Sequence, residues 1–321
     1  MKSGKIKIII ISVKIVLSVI IAALVLYNID SVKLKNIVKN ADISFIILAC
    51  ALLPLNLYLQ FVKWKYLVKK ASFVRVASVQ IWESVILGIS FGFITPGRVG
   101  ELGKVIAIEK TDKYKLLGMS ILEKLYDTFP VIFFGIISAI FLPELFFSDS
   151  ALMKVNMLIF ALLILFSAYY VAVHPGILRT LLNYFRHKVF KQSVKFSRFT
   201  DSLHGFKKGS ASVLLLFSIL LFLIYTTQFV FLILAFGEIS ILHAFLGVWL
   251  SILLKTFLPF SIGDIGIREG TAAYIFAIFN FPAEAAVSAA FMLFVINILI
   301  PSAAGIFTVP FIKNFISENG N

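Results

Sequence analysis

A long apolar part of this chain is interrupted by the stretch FGFITPGRVGE, residues 91–101. A second stretch of similar character, PFSIGDIGIREG, occupies residues 259–270. Each break contains a Gly-x-x-Gly pattern next to an arginine and a glutamate. Irregular, charged backbone is tolerated at membrane depth only where it is buried in protein or lines a watery cavity. Corresponding breaks in the two halves of a membrane protein therefore predict a transport site.

The composition places the chain in the class of multi-pass membrane proteins. Hydrophobic residues make up 60% of its 321 residues and charged residues only 14%, which is far more apolar than a soluble domain. The net charge of +14 lies in loops between apolar stretches. Positive-inside topology and anionic lipid headgroups explain this charge, so we expect no nucleic-acid partner. With one cysteine and four scattered histidines, we expect neither a metal site nor a cofactor.

Six stretches are long enough to span a bilayer as helices, which takes about 20 mostly apolar residues. The chain is therefore predicted to be an all-α integral membrane protein. Two further apolar stretches, 79–95 and 241–258, run directly into the two breaks. The six predicted spans are 8–27, 43–62, 118–142, 152–173, 211–236 and 284–312.

The distribution of lysine and arginine decides whether the two further stretches span. The loop 174–210 holds eight basic residues and one acidic residue, so it should be cytoplasmic. If 79–95 crossed the bilayer, five basic residues before it would lie outside; if it enters and returns, they stay inside. The charges thus favour re-entrant hairpins at 79–95 and 241–281, with both termini on the cytoplasmic side of the cell membrane. The five basic residues are Lys63, Lys65, Lys69, Lys70 and Arg75.

The whole chain, 1–321, is predicted to be a single membrane domain that contains two repeats of opposite orientation. After a first helix at 8–27, repeat one covers 43–142 and repeat two covers 211–312. A linking helix and a basic cytoplasmic loop, 152–210, lie between the repeats. Span, hairpin and span recur in the same order, which is the pattern of an inverted repeat.

The first break has the residue types of an anion site. Gly97 and Gly100 permit a tight reversal and a close approach of the backbone, and freed backbone N–H groups bind anions. Arg98 adds a planar, permanently charged fork that suits phosphate, and Glu101 would orient Arg98 or hold a second cation. The alternative is that Arg98 only extends to the cytoplasmic interface while Glu101 caps a helix. The cost of intramembrane charge favours the functional interpretation.

The second break repeats these residue types. Asp264 and Arg268 are four residues apart, so they would pair if the segment is helical. The alternative is a self-satisfied ion pair that only closes a loop. An isolated lysine in the preceding apolar run, Lys255, would either add positive charge to a central cavity or reach outward. The polar and glycine residues of this break are Gly263, Asp264, Gly266, Arg268 and Glu269.

A third charged group lies near the start of the span that follows the first break. Glu123 and Asp127 share one helix face, with Lys124 one step around it. The two carboxylates would position Arg98 across a cavity, or would only stabilise the helix N-terminus. Glu83, in the first re-entrant arm, needs a partner within the membrane, and Arg98 is the candidate.

The three motifs, in this order and at this spacing, resemble those of the flippase-like, lysylphosphatidylglycerol synthase transmembrane-region family. Members share a Pro-x-Arg-x-Gly-Glu element, a Glu-Arg-x-x-Asp element and a late Gly-Gly-x-Gly-x-Arg-Glu element. Here these elements are PGRVGE at 96–101, EKLYD at 123–127 and IGDIGIRE at 262–269. The chain departs from the family pattern at Lys124, where arginine is usual, and at Asp264, where the second glycine is usual.

The resemblance implies a lipid transporter that binds and moves a phosphate-bearing lipid of the aminoacyl-phospholipid, polyprenyl-phosphate or glycolipid class. In the bacterial multiple peptide resistance factor, a similar membrane region moves a lipid that a soluble aminoacyltransferase domain makes. That domain would need a few hundred further residues, and the chain shows no Ser/His/Asp set or phosphate loop, so we expect no enzyme activity. The alternative is a non-transporting membrane partner that presents lipid to a separate glycosyl- or aminoacyltransferase.

We therefore predict one lipid site built from the three motifs. The predicted headgroup-binding residues are Gly97, Arg98, Gly100, Lys124, Gly263, Gly266 and Arg268. The predicted supporting acidic residues are Glu83, Glu101, Glu123, Asp127, Asp264 and Glu269.

The re-entrant topology predicts which positions a reagent can reach from outside. After Cys50→Ser removes the native thiol, a cysteine introduced at Lys70 or Lys113 should not react with a membrane-impermeant maleimide in intact cells. Both positions are expected in the cytoplasm, because basic residues concentrate there. External labelling of Lys70→Cys would contradict the hairpin at 79–95.

Overall fold

The regular secondary structure in the described part of the chain is helical. The structure, a computed structural model, describes residues 31–72, 75–95, 97–109, 111–142, 151–174, 176, 180, 208–258, 261 and 263–306. These residues contain no strand, which confirms the all-α class. The predicted first helix, 8–27, and residues 181–207 of the basic loop lie outside the described residues.

The helices in the described ranges are of three kinds. A 3₁₀ helix, Val99–Ala107, comes after the first break, and a π-helical turn, Val295–Leu299, joins the last two helices. The α-helices are α1 (Ser31–Lys39), α2 (Ile43–Ala71), α3 (Ser78–Phe93), α4 (Lys113–Phe141), α5 (Ala151–Val173), α6 (Lys208–Phe236), α7 (Ile241–Thr256), α8 (Ile267–Ala277), α9 (Ala283–Phe294) and α10 (Ile300–Ile306).

Four helices in the described ranges are long and apolar enough to cross a membrane: α2, α4, α6 and the continuous run from α9 to Gly305. They coincide with four of the six predicted spans, and a fifth predicted span is helical as α5. The helices α3 and α7 have 16 residues each. At 1.5 Å per residue they reach roughly 24 Å, less than the ~30 Å hydrocarbon core. That length suits one arm of a re-entrant hairpin, and the re-entrant topology itself stays a prediction.

Both breaks contain the same unusual backbone turn. Gly97 and Arg98 have φ angles of 58° and 56°, and Gly263 and Asp264 have φ angles of 60° and 62°. Glycine adopts this left-handed region without a steric penalty, whereas Arg98 and Asp264 are strained there, so surrounding contacts must hold them. A 16-residue helix precedes each turn. The shared geometry supports the internal repeat, and it makes Asp264, rather than Arg268, the counterpart of Arg98.

Side chains satisfy backbone groups where the helices begin and where they meet. Asp112 caps α4 by accepting from the N–H of Tyr114 at 2.9 Å, and Ser240 caps α7. Both residue types are favoured at this position because their oxygens replace missing intrahelical partners. Within the apolar interior, the amide of Gln228 donates to the carbonyl of Ala49 at 2.9 Å, which is a polar link between α6 and α2.

The chain packs as two compact units. Among the described residues, those within 1–54, 86–103 and 225–321 form the first unit, and those within 55–85 and 104–224 form the second. Both breaks belong to the first unit, and the third charged group belongs to the second. That the whole chain forms a single domain stays a prediction.

Each unit has its own buried core. In the first unit, small residues on α7, α8 and α9 let the helices approach closely; a Cβ on Gly247, for instance, would lie 2.8 Å from the ring of Phe276. In the second unit the core is made of larger side chains. Examples of buried core residues are Ala244, Ala272, Ala285 and Ala289 in the first unit, and Trp64, Leu67, Leu116 and Tyr126 in the second.

Gly100→Ala should destabilise the protein, because a Cβ there would meet the backbone carbonyl oxygen of Phe91. Overpacking of this kind costs about 1–3 kcal/mol. Gly209→Ala is the matched control, since a Cβ at Gly209 meets nothing within 4 Å. Thermal unfolding of the purified protein in detergent should give a lower midpoint for Gly100→Ala only. Equal midpoints for the two variants would contradict the close approach at Gly100.

Candidate functional site

The first turn is closed by hydrogen bonds of Thr95. Its hydroxyl donates to the carbonyl of Phe91 at 2.8 Å and accepts from the N–H of Gly100 at 2.7 Å. The backbone N–H of Arg98 donates to the carbonyl of Thr95 at 3.2 Å. These bonds hold Arg98 in its left-handed conformation, and they require the close approach that only glycine allows at position 100.

Arg98 forms an ion pair with Glu101, three residues further along the chain. The Glu101 side chain is buried and packs against Gly92, where any side chain would collide with it. The Arg98 side chain is 27% exposed, so one side of it stays open to a ligand. This geometry agrees with the predicted role of Glu101. The structure gives Arg98 this partner in place of Glu83, which is only partly buried on α3.

Asp264 pairs with Lys255 and not, as the spacing suggested, with Arg268. The Nζ of Lys255 lies 2.7 Å from Oδ2 of Asp264, so Lys255 turns toward the second break. Asp264 lies in a turn outside the four spans. Burial would raise the pKa of Asp264, but the charges of Lys255, Arg98 and Arg268 and the hydrogen bond from Lys255 outweigh it and lower the pKa to about 2. Asp264 is therefore ionised, and Arg98 of the first turn acts on it electrostatically.

Arg268 is buried against groups from several directions. Only 3% of the residue is exposed. Its Nη2 donates to the carbonyl of Gly263 at 3.2 Å, and its guanidinium carbon lies 5.3 Å from the ring centre of Phe294. Its Nε lies 3.5 Å from Oε1 of Glu269. The other oxygen of Glu269 accepts from the N–H of Gly266 at 2.6 Å, which caps the start of α8.

The two turns contact each other directly. The N–H of Gly97 donates to the carbonyl of Ser261 at 3.1 Å. Gly263 packs on Phe93, so closely that a Cβ would lie 3.1 Å from the carbonyl oxygen of Phe93. Both breaks therefore form one region, which we call the paired-turn site. Its residues are Gly97, Arg98, Gly100, Glu101, Lys255, Ser261, Gly263, Asp264, Gly266, Arg268 and Glu269.

The charges of the paired-turn site balance. Each cation has an acidic neighbour, because desolvated charge is costly unless it is paired. The three cations are Arg98, Lys255 and Arg268, and their respective neighbours are Glu101, Asp264 and Glu269.

Several polar atoms of the site are nevertheless unsatisfied. In the described part of the chain, four of its buried polar atoms have no hydrogen-bond partner. Such groups cost free energy and call for an explanation in a native structure. Their concentration at the two turns marks the place where a polar ligand group would fit. The atoms are Nε of Arg98, Oγ of Ser261, Nε of Arg268 and Oε1 of Glu269.

The third charged group lies in the second unit, and its partners are two lysines. Lys63 contacts Asp127, and Lys104 contacts Glu123. Lys63 also lies 4.0 Å from Glu123, so the four charges form a continuous network. The sequence interpretation had assigned these carboxylates to Arg98. Lys124, a predicted headgroup residue, is half-buried on α4 beside them.

Sequence reasoning missed both lysines as partners of these carboxylates, because it counted Lys63 among the basic residues on the cytoplasmic side and gave Lys104 no role. Lys63 is fully buried within α2, and Lys104 is 7% exposed and lies 4.0 Å from the ring centre of Trp64. The sequence spacing did contain a signal that Lys63 is buried, because Lys63 lies on the same helix face as the apolar Leu67, four residues on. The structure shows both residues buried. The other lysines of this helix end, such as Lys65, lie on the exposed face.

The fold and the charged turns define the class of protein: an all-α integral membrane protein with glycine-rich breaks between apolar helices. The chain belongs to the lysylphosphatidylglycerol synthase TM region family, whose family model matches residues 9–305. This confirms the family that the three motifs predict.

The chain is similar to a UPF0104 membrane protein from Pyrococcus horikoshii, with 30% identity over 112 residues. The match covers 33% of this chain and 33% of that relative, so the chain spans about a third of the relative's length. No solved structure matches the chain.

Asp127→Leu should destabilise the protein by about 3–5 kcal/mol, because the fully buried ammonium of Lys63 loses its nearest partner. Adding Lys63→Met should restore most of the stability, since an apolar pair can replace an ion pair. Lys65→Met, on the exposed face of the same helix, is the control. Denaturation in detergent measures the stability of the wild type and of all three variants. A double variant as unstable as Asp127→Leu alone would contradict the network.

Proposed function

We propose that this protein binds a phosphate-bearing lipid and moves it across the membrane. The observation that carries the proposal is the hydrogen bond between Gly97 and Ser261, which joins the two breaks. It brings the first turn, which carries Arg98, and the second turn, which Arg268 follows at the start of α8, into one polar region. Broken helices from two repeats are the usual substrate site in transporters of this architecture.

The chemistry of the paired-turn site suits a phosphate. Arg98 and Arg268 carry planar forks that match phosphate oxygens, and hydrogen bonds of this kind are among the strong ones. The Nε atoms of both arginines are buried without a hydrogen-bond partner. Arg98 is 27% exposed along its side chain, whereas Arg268 is 3% exposed. A headgroup would therefore meet Arg98 first and reach Arg268 only after displacing neighbouring groups.

Apolar side chains beside the charged turns favour an amphiphile over free phosphate. Ile94 and Val99, which flank the first turn, are 61% and 65% exposed. Phe257 and Leu258, which lead into the second break, are 69% and 39% exposed. Burial of such surface against a hydrocarbon chain is favourable, and a free phosphate would gain nothing from it.

The neutral charge balance of the site bears on transport. A bound phosphate competes with Glu101 for Arg98 and with Asp264 for Lys255, so binding loosens ion pairs that hold the turns in place. Once these pairs loosen, the turns can adopt a second arrangement, in which the headgroup makes different contacts. A transport cycle requires such a difference, because a ligand shifts a conformational equilibrium only by binding the two states unequally. In this proposal the protein lies in the cell membrane with both termini in the cytoplasm, and it transports without enzyme chemistry.

The test is lipid movement in liposomes that contain only the purified protein and a fluorescent phosphatidylglycerol. Arg98→Lys keeps the charge but loses the fork, so movement should fall by roughly tenfold. Arg75→Lys, at an exposed arginine, is the matched control and should move lipid like the wild type.

Two outcomes would redirect the proposal. Wild-type protein that binds the lipid without moving it would favour the membrane partner that presents lipid to a separate transferase. An Arg98→Ala variant that folds and still binds and moves lipid at the wild-type rate would remove Arg98 from the site.

A further inference from the structure

The two arginine–glutamate pairs of the paired-turn site differ in one respect. Arg98 and Glu101 are in direct contact. Arg268 Nε and Glu269 Oε1 are 3.5 Å apart, and neither atom has a hydrogen-bond partner. Both residues are almost fully buried, at 3% and 4% exposure. Opposite charges attract strongly in a low-dielectric interior, so other contacts must hold this pair open.

Three contacts hold Arg268 and Glu269 apart: two act on the guanidinium of Arg268 and one acts on the carboxylate of Glu269. The carbonyl of Gly263 binds Nη2 of Arg268 at 3.2 Å. The ring of Phe294 lies 5.3 Å from the guanidinium carbon, a cation–π contact that orients the plane of the guanidinium. The N–H of Gly266 binds the other oxygen of Glu269 at 2.6 Å, which keeps that carboxylate at the start of α8.

Phe294 is itself held firmly. It is the last residue of α9, it is 4% exposed, and its ring centre lies 5.7 Å from that of Phe93. The π-helical turn Val295–Leu299 follows immediately, and such turns are frequent at functional sites. Phe294 is thus a positioning residue for Arg268.

The open pair presents a donor and an acceptor side by side. We propose that it is a subsite for an O–H group of the lipid headgroup, a proposal that rests on the proposed function. The oxygen of that group accepts from Nε of Arg268, and its hydrogen is donated to Oε1 of Glu269. A headgroup hydroxyl and a protonated phosphate oxygen both have these two capacities. An ionised phosphodiester oxygen has no hydrogen to donate and meets Glu269 as a like charge.

Binding of three short-chain lipids distinguishes the two possible sources of the O–H group, a headgroup hydroxyl and a protonated phosphate oxygen. Phosphatidic acid has a protonated phosphomonoester near pH 5 and no headgroup hydroxyl, because its second ionisation lies near pH ~6. Phosphatidylglycerol is a phosphodiester with headgroup hydroxyls. Phosphatidylethanol is a phosphodiester with neither a headgroup hydroxyl nor a protonated phosphate oxygen. Dissociation constants are measured on the purified protein by calorimetry in detergent.

We expect phosphatidylethanol to bind at least about tenfold more weakly than the better of the other two lipids, the effect of losing a hydrogen bond to a charged group. Tight binding of phosphatidic acid alone would assign the subsite to protonated phosphate. Tight binding of phosphatidylglycerol alone would assign it to a hydroxyl. Equal binding of all three would overturn the subsite but leave the phosphate site standing, whereas absence of all binding would overturn both.

Phe294 variants test how the pair is held open. Phe294→Leu should let Arg268 close onto Glu269, so the affinities for the three lipids should converge to within about twofold. Phe294→Trp keeps the cation–π contact and should therefore keep the difference in affinity between the lipids. The ratio between lipids is measured on one sample, so a general loss of folded protein does not change it. Phe291→Leu, at a 53% exposed ring next to Phe294, is the control. A Phe294→Leu protein that keeps the wild-type ratio would overturn the positioning role.

Discussion

The polar region of this protein depends on backbone groups that must find partners where water is scarce. A break in an apolar helix exposes N–H and C=O groups, and each unsatisfied group is costly in such surroundings. Here one break supplies the partner for the other, through the N–H of Gly97 and the carbonyl of Ser261. The contact is close because Gly263 has no side chain to separate it from Phe93. This hydrogen bond between the two breaks positions both left-handed turns, and with them Arg98 of the first turn.

The buried charged side chains likewise have partners of opposite charge nearby. The two units differ in how completely the polar groups of these partners are satisfied. In the second unit, Lys63 and Lys104 contact their carboxylates directly, and Lys104 also packs on Trp64. That network is closed and acts as structure. In the first unit, buried donors and acceptors of the two turns remain without partners across the described residues. A fully satisfied network rigidifies a fold, whereas buried polar groups without partners carry a free-energy cost.

Asp264 shows how one substitution in the family pattern is accommodated. A carboxylate in a left-handed position is strained and, when buried, needs a cation. Lys255, nine residues earlier on α7, supplies that cation at 2.7 Å. Sequence spacing favoured Arg268 as the partner, because it lies four residues from Asp264. Arg268 instead turns to Gly263 and Phe294, and this is what leaves its Nε beside Glu269 without a hydrogen bond.

The sequence alone determined the class of protein, most of the spans, the positions of both breaks and the family. Those properties follow from local composition, since apolar runs of sufficient length and turns that need glycine are written in consecutive residues. The tertiary structure decided which charges pair. Lys63 and Asp127 are separated by 64 positions, and Gly97 and Ser261 are farther apart still. No local pattern encodes such partners, because they depend on the phase of each helix and on which helices pack together.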